Sequence, residues 1–386
     1  VKHPTNHIFA QTPETLGAWC DAHGLPHYRA KQILEWVYAR GVIDPEEMTN
    51  LSKRDREALA SEMTFLSGDV LAHQRATDET QKLLVQWTDG DERPESASPL
   101  SGTLALPVLG QPTQDPQGGI TPDVRRQTEC VMIPADDRRT ACISSQVGCP
   151  VGCRFCASGL SGLDGNLSAG RIVEQVWRLS RLLRGVDPVG RISNVVFMGM
   201  GEPLSNLSNV VPAVRTLAAP WGMGISARRL TISTVGLPKA IEKLAEQLDL
   251  PVTLALSLHA PNDELRRQLI PWAEYTTIEE LMVACRRWFE RTGREITLEY
   301  TLLRGVNDRP QHARELAEVA RSVRANINII RYNEVRGLPF QRPRTEDVRQ
   351  FQETLRAHRV NAHIRASRGR DIAAACGQLR HEHQQA

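Results

Sequence analysis

Apolar positions change rhythm along the chain. In the first sixty or so residues they recur at helical spacing. Thr12-Pro13-Glu14 opens a helix, with Thr as N-cap and Pro at the first helical position, and Gly24 closes it. A second helix spans 27–40, with Ile33, Leu34 and Val37 on one side and Gly41 at its end. A third starts at Ser52, with Leu51 before the cap and Asp55 three residues after it. Lys82 to Trp87 then alternates, with Leu83, Val85 and Trp87 on one face, and predicts a strand; a second strand follows over 128–133. Between them, 13 of the 32 residues from 91 to 122 are Pro, Gly or Ser and only Arg93 is basic, which predicts a disordered insertion in place of a hairpin turn.

From residue 140 the pattern becomes a regular alternation. Apolar runs over 140–145, 193–198, 229–233, 252–258, 295–302 and 327–332 predict strands. Helical stretches over 168–184, 206–218, 238–247, 277–291, 311–321 and 345–357 lie between or after them. Six strand–helix units predict an α/β protein with a parallel sheet, and strands apolar nearly throughout predict cover on both faces. Six are too few for the eight-fold barrel, so the expected architecture is a partial (β/α)6 barrel whose ligands gather at the C-terminal strand ends. The expected organisation is a small N-terminal helical domain over 1–75, a β-hairpin extension over 76–139 containing the insertion at about 91–122, the barrel over 140–380 and a tail over 381–386. The GLPHYRAKQ turn of the helical domain, with Arg29 and Lys31, could meet nucleic-acid phosphates or simply cap the next domain.

With 386 residues, 41% hydrophobic and 24% charged, the composition is that of a soluble globular chain with room for two or three domains. No stretch of about 18 apolar residues offers a membrane span, and the first residues carry no apolar run of signal-peptide length. Eight cysteines are too sparse for a secreted disulfide scaffold, and their clustering suits a reducing cytoplasm. Net charge is +2, but residues 331–380 hold eleven Arg, no Lys and five acidic residues. That run could follow a phosphate backbone; charge alone favours a solvated helix face.

The strongest chemical signal is Cys149-Pro-Val-Gly-Cys153-Arg-Phe-Cys156, at the end of the first barrel strand. Three close thiolates hold a soft metal or an iron–sulfur cluster, and no fourth Cys or His lies in the loop to close a structural zinc site. A zinc site borrowing a distant ligand remains the plainer alternative. At the next strand end, Gly199-Met-Gly-Glu-Pro203 lets backbone approach a ligand and offers Glu202 to a cationic amine, or else is a capped turn. Ser233, Ser257, His259 and Asn333 end later strands and suit a ribose and an amino-acid moiety, although each alone reads as a turn or cap. Cys285 falls on a helical core stripe with Leu281 and Met282; Cys20 and Cys130 take no role; Cys142 and Cys376 read as buried thiols.

Taken together, TACISSQVGCPVGCRFC, VVFMGMGEPLSN, LTISTVG, LALSLHAPND and DIAAACGQL resemble the RlmN/Cfr family of radical S-adenosylmethionine (SAM) RNA adenine methyltransferases, from about residue 128 to 379 and more loosely over the N-terminal module. The resemblance implies a radical SAM barrel, a [4Fe–4S] cluster on Cys149, Cys153 and Cys156, and SAM bound by Gly201, Glu202, Ser233, Ser257, Leu258, His259 and Asn333. It further implies that Cys376 is methylated during turnover, that Cys142 resolves the RNA adduct through a transient disulfide with Cys376, and that Glu129 is the general base. The implied activity is methylation of adenine C2 in 23S rRNA and in some tRNAs, using two SAM per turnover and a reductant, with no membrane partner. A Cfr-like methylation at C8 shares the same parts, and a non-catalytic zinc-stabilised RNA-binding protein is the alternative of another class. The insertion departs from the family's hairpin, and IIRYNEV replaces a proline-containing form around Asn333.

Overall fold

The computed structural model describes residues 2–90, 122–184, 187 and 190–379. The expected insertion, apart from its last residue, and the expected tail lie outside the described residues. The helical module forms as its caps predict. α1 (Pro13–Ala22) is closed by a reciprocal box between Thr12 and Thr15. α2 (Arg29–Leu34) runs on into a π-helical turn over Glu35–Arg40, which ends at Gly41 with φ 68°. α3 (Lys53–Glu62) is capped by the Ser52 hydroxyl, which accepts from the Asp55 N–H. The module's apolar side is closed by the barrel: Phe9 packs against Tyr38 and Trp177, and Trp177 Nε1 donates to Val37 O at 2.9 Å.

β1 (Gly68–Arg75), β2 (Gln81–Trp87), β3 (Gln127–Ala135) and β4 (Arg138–Cys142) form an antiparallel meander. The hydrophobic pattern did not announce β1, because a register shift between Val70 and Ala72 breaks its period of two. β2 alternates as expected, yet Lys82 and Gln86 on its other face are buried as well. After β4, a two-stranded hairpin, β5 (Gln146–Gly148) and β6 (Leu163–Asn166), flanks the cysteine loop.

The barrel strands follow: β7 (Asn194–Phe197), β8 (Leu230–Thr234), β9 (Thr253–Ser257), β10 (Ile296–Leu302), β11 (Ala325–Arg331) and a further strand, β12 (Ala362–Arg365). All pair in parallel from β4 through β12, so one ten-stranded sheet, in the order β1-β2-β3-β4-β7-β8-β9-β10-β11-β12, joins meander to partial barrel. The crossover helices are α4 (Ala169–Leu183), α5 (Leu207–Ala218), α6 (Pro238–Gln247), α7 (Asp263–Leu269), α8 (Ile278–Thr292), α9 (Pro310–Arg321) and α10 (Thr345–Ala357). α7 was unexpected: the HAPND turn continues into a helix because the Asn262 side chain caps it, accepting from the Leu265 N–H. Phe197, Ile232, Leu254, Leu256, Leu298 and Tyr300 fill the interior, each side chain contributing about 1.5–3 kcal/mol by burial. Cys285 lies in that core, as its stripe predicted.

α4 is buried along most of its length, polar residues included. Glu174 accepts from the N–H and hydroxyl of Ser67 at 3.1 and 2.7 Å, receives Arg178 Nε at 2.8 Å, and lies 3.1 Å from His7 Nε2. Burial alone would raise its pKa, but Arg178, His7 and Ser67 hold it down at about 2. This one carboxylate therefore ties the N-terminal segment and the start of β1 to the barrel. Among the described residues no helix is long and apolar enough to cross a membrane.

Candidate active site

The chain leaving β4 is clamped before it reaches the cysteines. Ser144 N–H donates to Gln175 Oε1 at 2.9 Å, and its hydroxyl donates to Glu129 O at 2.7 Å. The same hydroxyl accepts from the Met200 N–H. Gly199 and Gly201 are needed here for packing. A Cβ on Gly199 would lie 2.7 Å from Ile143 backbone, and one on Gly201, at φ 107°, would lie 2.7 Å from Gln146 Cβ. What these glycines approach is the exit of β4, which brings the second strand end flush against the first.

The cysteine loop is pinned by Cys149 N to Gly162 O at 2.9 Å, Cys156 N to Cys153 O at 3.1 Å, and Arg154 N to Leu269 O at 3.0 Å. Cys149, Cys153 and Cys156 all line one cavity at the C-terminal strand ends. Burial pushes the Cys149 thiol up to about 12 and raises Cys153 and Cys156 too, so without a cation these groups are thiols. Among the described residues no three His, Cys, Asp or Glu side chains converge as ligands of a single metal ion. Three thiols lining one cavity, with no fourth Cys or His in the loop, are the residues that would hold an iron–sulfur cluster.

Gly201, Glu202, Ser233, Ser257, His259 and Asn333 line the same cavity. Glu202 accepts from the Leu204 and Val235 N–H groups at 3.0 and 2.8 Å, yet burial still lifts its pKa to about 7. His259 has φ 56°; its Nδ1 faces the Thr301 N–H at 3.1 Å, and burial followed by the charge of Arg266 lowers its pKa to about 3, so the ring is neutral. Leu258 does not line the cavity: its side chain is in the core and its carbonyl accepts from Arg266 Nε at 3.3 Å. Arg266, absent from the sequence expectations, is fully buried and also donates to Val235 O, clamping the ends of β8 and β9 together. Glu299 was missed as well. It lines the cavity with Oε1 bonded to Asn328 and Oε2 without a hydrogen-bond partner. The Tyr332 hydroxyl lies on the same wall. An unsatisfied buried oxygen such as Glu299 Oε2 marks the seat of a polar ligand, as the donors of SAM would provide.

The segment carrying Cys376 lines the cavity beside the cysteine loop. Asn333 Nδ2 donates to Cys376 O at 3.3 Å, and Ala157 N, one residue past Cys156, donates to Gly377 O at 2.8 Å. Cys376, expected as a buried thiol, is instead exposed and lines the cavity, whereas Cys142 is buried as expected, in one apolar cluster with Met200, Ala374 and Leu379. Burial raises the Cys142 thiol to about 12, and the surrounding protein, which keeps bulk water from the Cys376 sulfur, raises that thiol to about 11, while the Arg365 guanidinium pulls both down. In the sheet, Val131 sits opposite Cys142, and Glu129, two residues earlier in β3, is buried against Lys82 at 2.8 Å. Two residues far apart in sequence are thus brought to one site. The basic run is partly engaged internally: Arg342 donates to Tyr332 O, Asn333 Oδ1 and Ser367 Oγ. A separate groove of about 830 Å³ between α5, α6 and α8 contains none of these groups.

A three-cysteine loop at the first strand end of a parallel partial barrel defines the radical SAM class, and the sequence model of the radical SAM superfamily matches residues 143–317. A second model, the ribosomal RNA large subunit methyltransferase N-terminal domain, matches residues 7–64. The chain is 40% identical over 377 residues to the dual-specificity RNA methyltransferase RlmN of Dichelobacter nodosus, covering 96% of this chain and 93% of that one. It is 40% identical over 365 residues to that of Halorhodospira halophila, covering 94% and 90%. A crystal structure of a radical SAM methyltransferase from Sphaerobacter thermophilus superimposes with a TM-score of 0.85 at 38% identity, over 98% of this chain and 100% of that one. The chain belongs to the RlmN family of radical SAM methyltransferases. It is a SAM-dependent methyltransferase, and its cofactors are a [4Fe–4S] cluster and SAM.

Proposed function

We propose that this enzyme places a methyl group on C2 of an adenine in 23S rRNA and of an adenine in tRNA, with Cys376 carrying the methyl in transit. The observation that supports this reading best is the sharing of one cavity by Cys376 and the three-cysteine loop, with Cys142 packed in one cluster with Ala374 and Glu129 two residues from the strand partner of Cys142. Near-complete alignment with dual-specificity RNA methyltransferases supports the pair of RNA substrates.

Cys149, Cys153 and Cys156 would hold the cluster, and the wall bearing Ser233, Ser257, Glu299 and Asn333 would hold SAM. When bound, these groups supply the electron, the methyl carbon and the hydrogen-abstracting power of the reaction. Adenine C2 is electron-poor and has no lone pair for a sulfonium methyl. A cysteine thiolate does, so Cys376 Sγ accepts the methyl first. After losing one hydrogen atom, that methyl carbon bonds to the ring, and the odd electron of the adduct would return to the bound cluster, leaving Cys376 crosslinked to RNA. Glu129 takes the ring proton. Cys142 Sγ attacks Cys376 Sγ, the sulfur–carbon bond breaks toward the RNA, the released methylene carbon takes a proton to become the methyl group, and the disulfide formed is reduced by an external thiol for the next cycle. Arg365 favours the thiolate at both cysteines in an interior that otherwise opposes it.

Mass spectrometry of RNA nucleosides after incubation with methyl-labelled SAM tests the proposal. 2-Methyladenosine in rRNA and tRNA is the expected result. 8-Methyladenosine alone would move the enzyme to the Cfr-like activity. No product, with about one zinc and neither iron nor sulfide in anaerobically purified protein, would overturn the enzymatic reading.

A further inference from the structure

Lys82 lies outside every cysteine-bearing and strand-end motif, yet it occupies a central position. It sits on β2 with 2% of its surface exposed, and Glu129 on β3 has 1%. In register, Lys82 is opposite Val131 and Val131 is opposite Cys142, so Lys82 and the Cys142 thiol belong to one lateral row of the sheet. Glu129 is opposite Leu84, one diagonal step from Lys82 on the same face. The Lys82 ammonium reaches across that diagonal to Glu129 Oε1 at 2.8 Å. It also faces the carbonyl of Ala373 at 3.4 Å, three residues before Cys376.

Ala373 belongs to a strap that the β1–β2 turn holds against the sheet. Thr77 N–H donates to Asp371 Oδ2 at 2.9 Å, and Gly369 N–H donates to Asp78 Oδ2 at 3.0 Å. These two contacts fasten the strap alone, whereas Lys82 touches both the strap and the carboxylate. A buried ammonium is stable only with an anion or several acceptors around it. Where Lys82 is satisfied, Glu129 and the Cys376 strap are therefore fixed relative to one another.

We propose that Lys82 is a positioning residue that holds the Glu129 carboxylate and the Cys376 segment in register for proton removal from the RNA adduct. This rests on the roles proposed above for Glu129, Cys142 and Cys376. Lys82 touches neither cysteine loop nor cavity, so methyl loading of Cys376 proceeds without it; the step it serves is the later one.

The test uses full-length, cluster-loaded protein with SAM and rRNA fragment. Lys82→Met, Lys82→Arg and Glu129→Gln are compared with the unaltered enzyme. Methylation of Cys376 is read by peptide mass spectrometry, and the covalent RNA–protein adduct by denaturing electrophoresis. Lys82→Met should load methyl on Cys376 to the normal extent, lower 2-methyladenosine on the order of 100-fold, and accumulate adduct. Lys82→Arg, which keeps the charge, should recover most of the loss. Should Lys82→Met fold poorly, Lys82→Gln is read in the same way. A normal ratio of adduct to product in the uncharged variant, or methyl loading that falls in parallel with product, overturns the proposal. Glu129→Gln separates the two levels: if it too forms no adduct, the assignment of the base fails; if it traps adduct while Lys82→Met does not, only the inference about Lys82 fails.

Discussion

Cys153 and Cys376 face the same cavity, and the chain positions them by opposite means. Cys153 lies in a loop whose other thiols are within four residues, fixed by backbone bonds to Gly162, Leu269 and its own loop. Cys376 sits on a strap whose fastenings come from Asn333, Ala157, the β1–β2 turn and Lys82, all distant in sequence. Each fastening is a single hydrogen bond, made by a backbone group, an amide, a carboxylate or an ammonium. A ligand set that must keep one geometry is written into spacing. A carrier thiol that must meet a methyl donor, a ring carbon and a second thiol in turn is held instead by several separable contacts.

The sharpest way to break this comparison is to remove one thiol from each side. Cys153→Ser should lose cluster and activity together, with iron and sulfide near background and product down ~10³-fold or more. Cys376→Ser should lose the same activity with iron and sulfide unchanged. If Cys376→Ser also loses its iron, the two sides are not separable. Cys142→Ala should be the next most severe. Methyl loading and ring attachment continue, but the adduct has no thiol to resolve it, so electrophoresis should show RNA covalently bound to most of the protein. Release of free methylated RNA at the normal rate would remove Cys142 from the reaction.

Acid should loosen the rigid side. α4 carries Gln175, which holds the β4 exit, and Glu174, whose pKa of about 2 is below the ordinary 4.5. A carboxylate depressed by folding adds stability that is complete above the ordinary value and is lost as pH falls through the folded one. The contribution is about 3 kcal/mol, lost between roughly pH 4.5 and pH 2. Thermal unfolding followed through that window should show the decline, and Glu174→Gln should flatten it. An equally steep decline in the variant would place the acid sensitivity elsewhere.

The same contrast explains how much could be read without coordinates. The helix caps at Thr12 and Ser52, the six apolar strand runs and the cysteine spacing are local, and the structure carries each of them. β1 was hidden by a bulge, and α7 by a turn whose Asn262 doubles as a cap. Gly199 and Gly201 were legible as close-approach residues, but not that Ile143 and Gln146 are what they approach. Lys82, Arg266 and Glu299 were missed because a charged residue in a strand or helix reads as exposed until its partners, which come from other segments, are known. A weak signal existed at Lys82: it faces the side of β2 opposite Leu83, Val85 and Trp87, and a lysine on a strand covered on both faces needs an anion.

Smaller changes should act on the strap alone. Gly369 has φ 64°, and a Cβ there would lie 2.8 Å from Thr80 Cγ2 and 2.9 Å from Ala374 Cβ. Gly369→Ala should therefore strain the strap by about 1–2 kcal/mol, lowering turnover up to about tenfold with iron content intact. Asn333→Ala is gentler: it removes one 3.3 Å bond to Cys376 O and frees Arg342, which keeps its bonds to Tyr332 and Ser367. Asn333 also faces the proposed SAM seat, so two causes of a slower rate must be told apart. A loosened strap lowers the maximal rate by about two- to fivefold at saturating SAM, whereas a lost SAM contact raises the concentration of SAM needed and leaves the maximal rate alone. Initial rates over a range of SAM concentrations separate the two. A pure rise in KM would mean that Asn333 belongs with the cofactor wall, leaving Ala157, the β1–β2 turn and Lys82 as the strap's anchors.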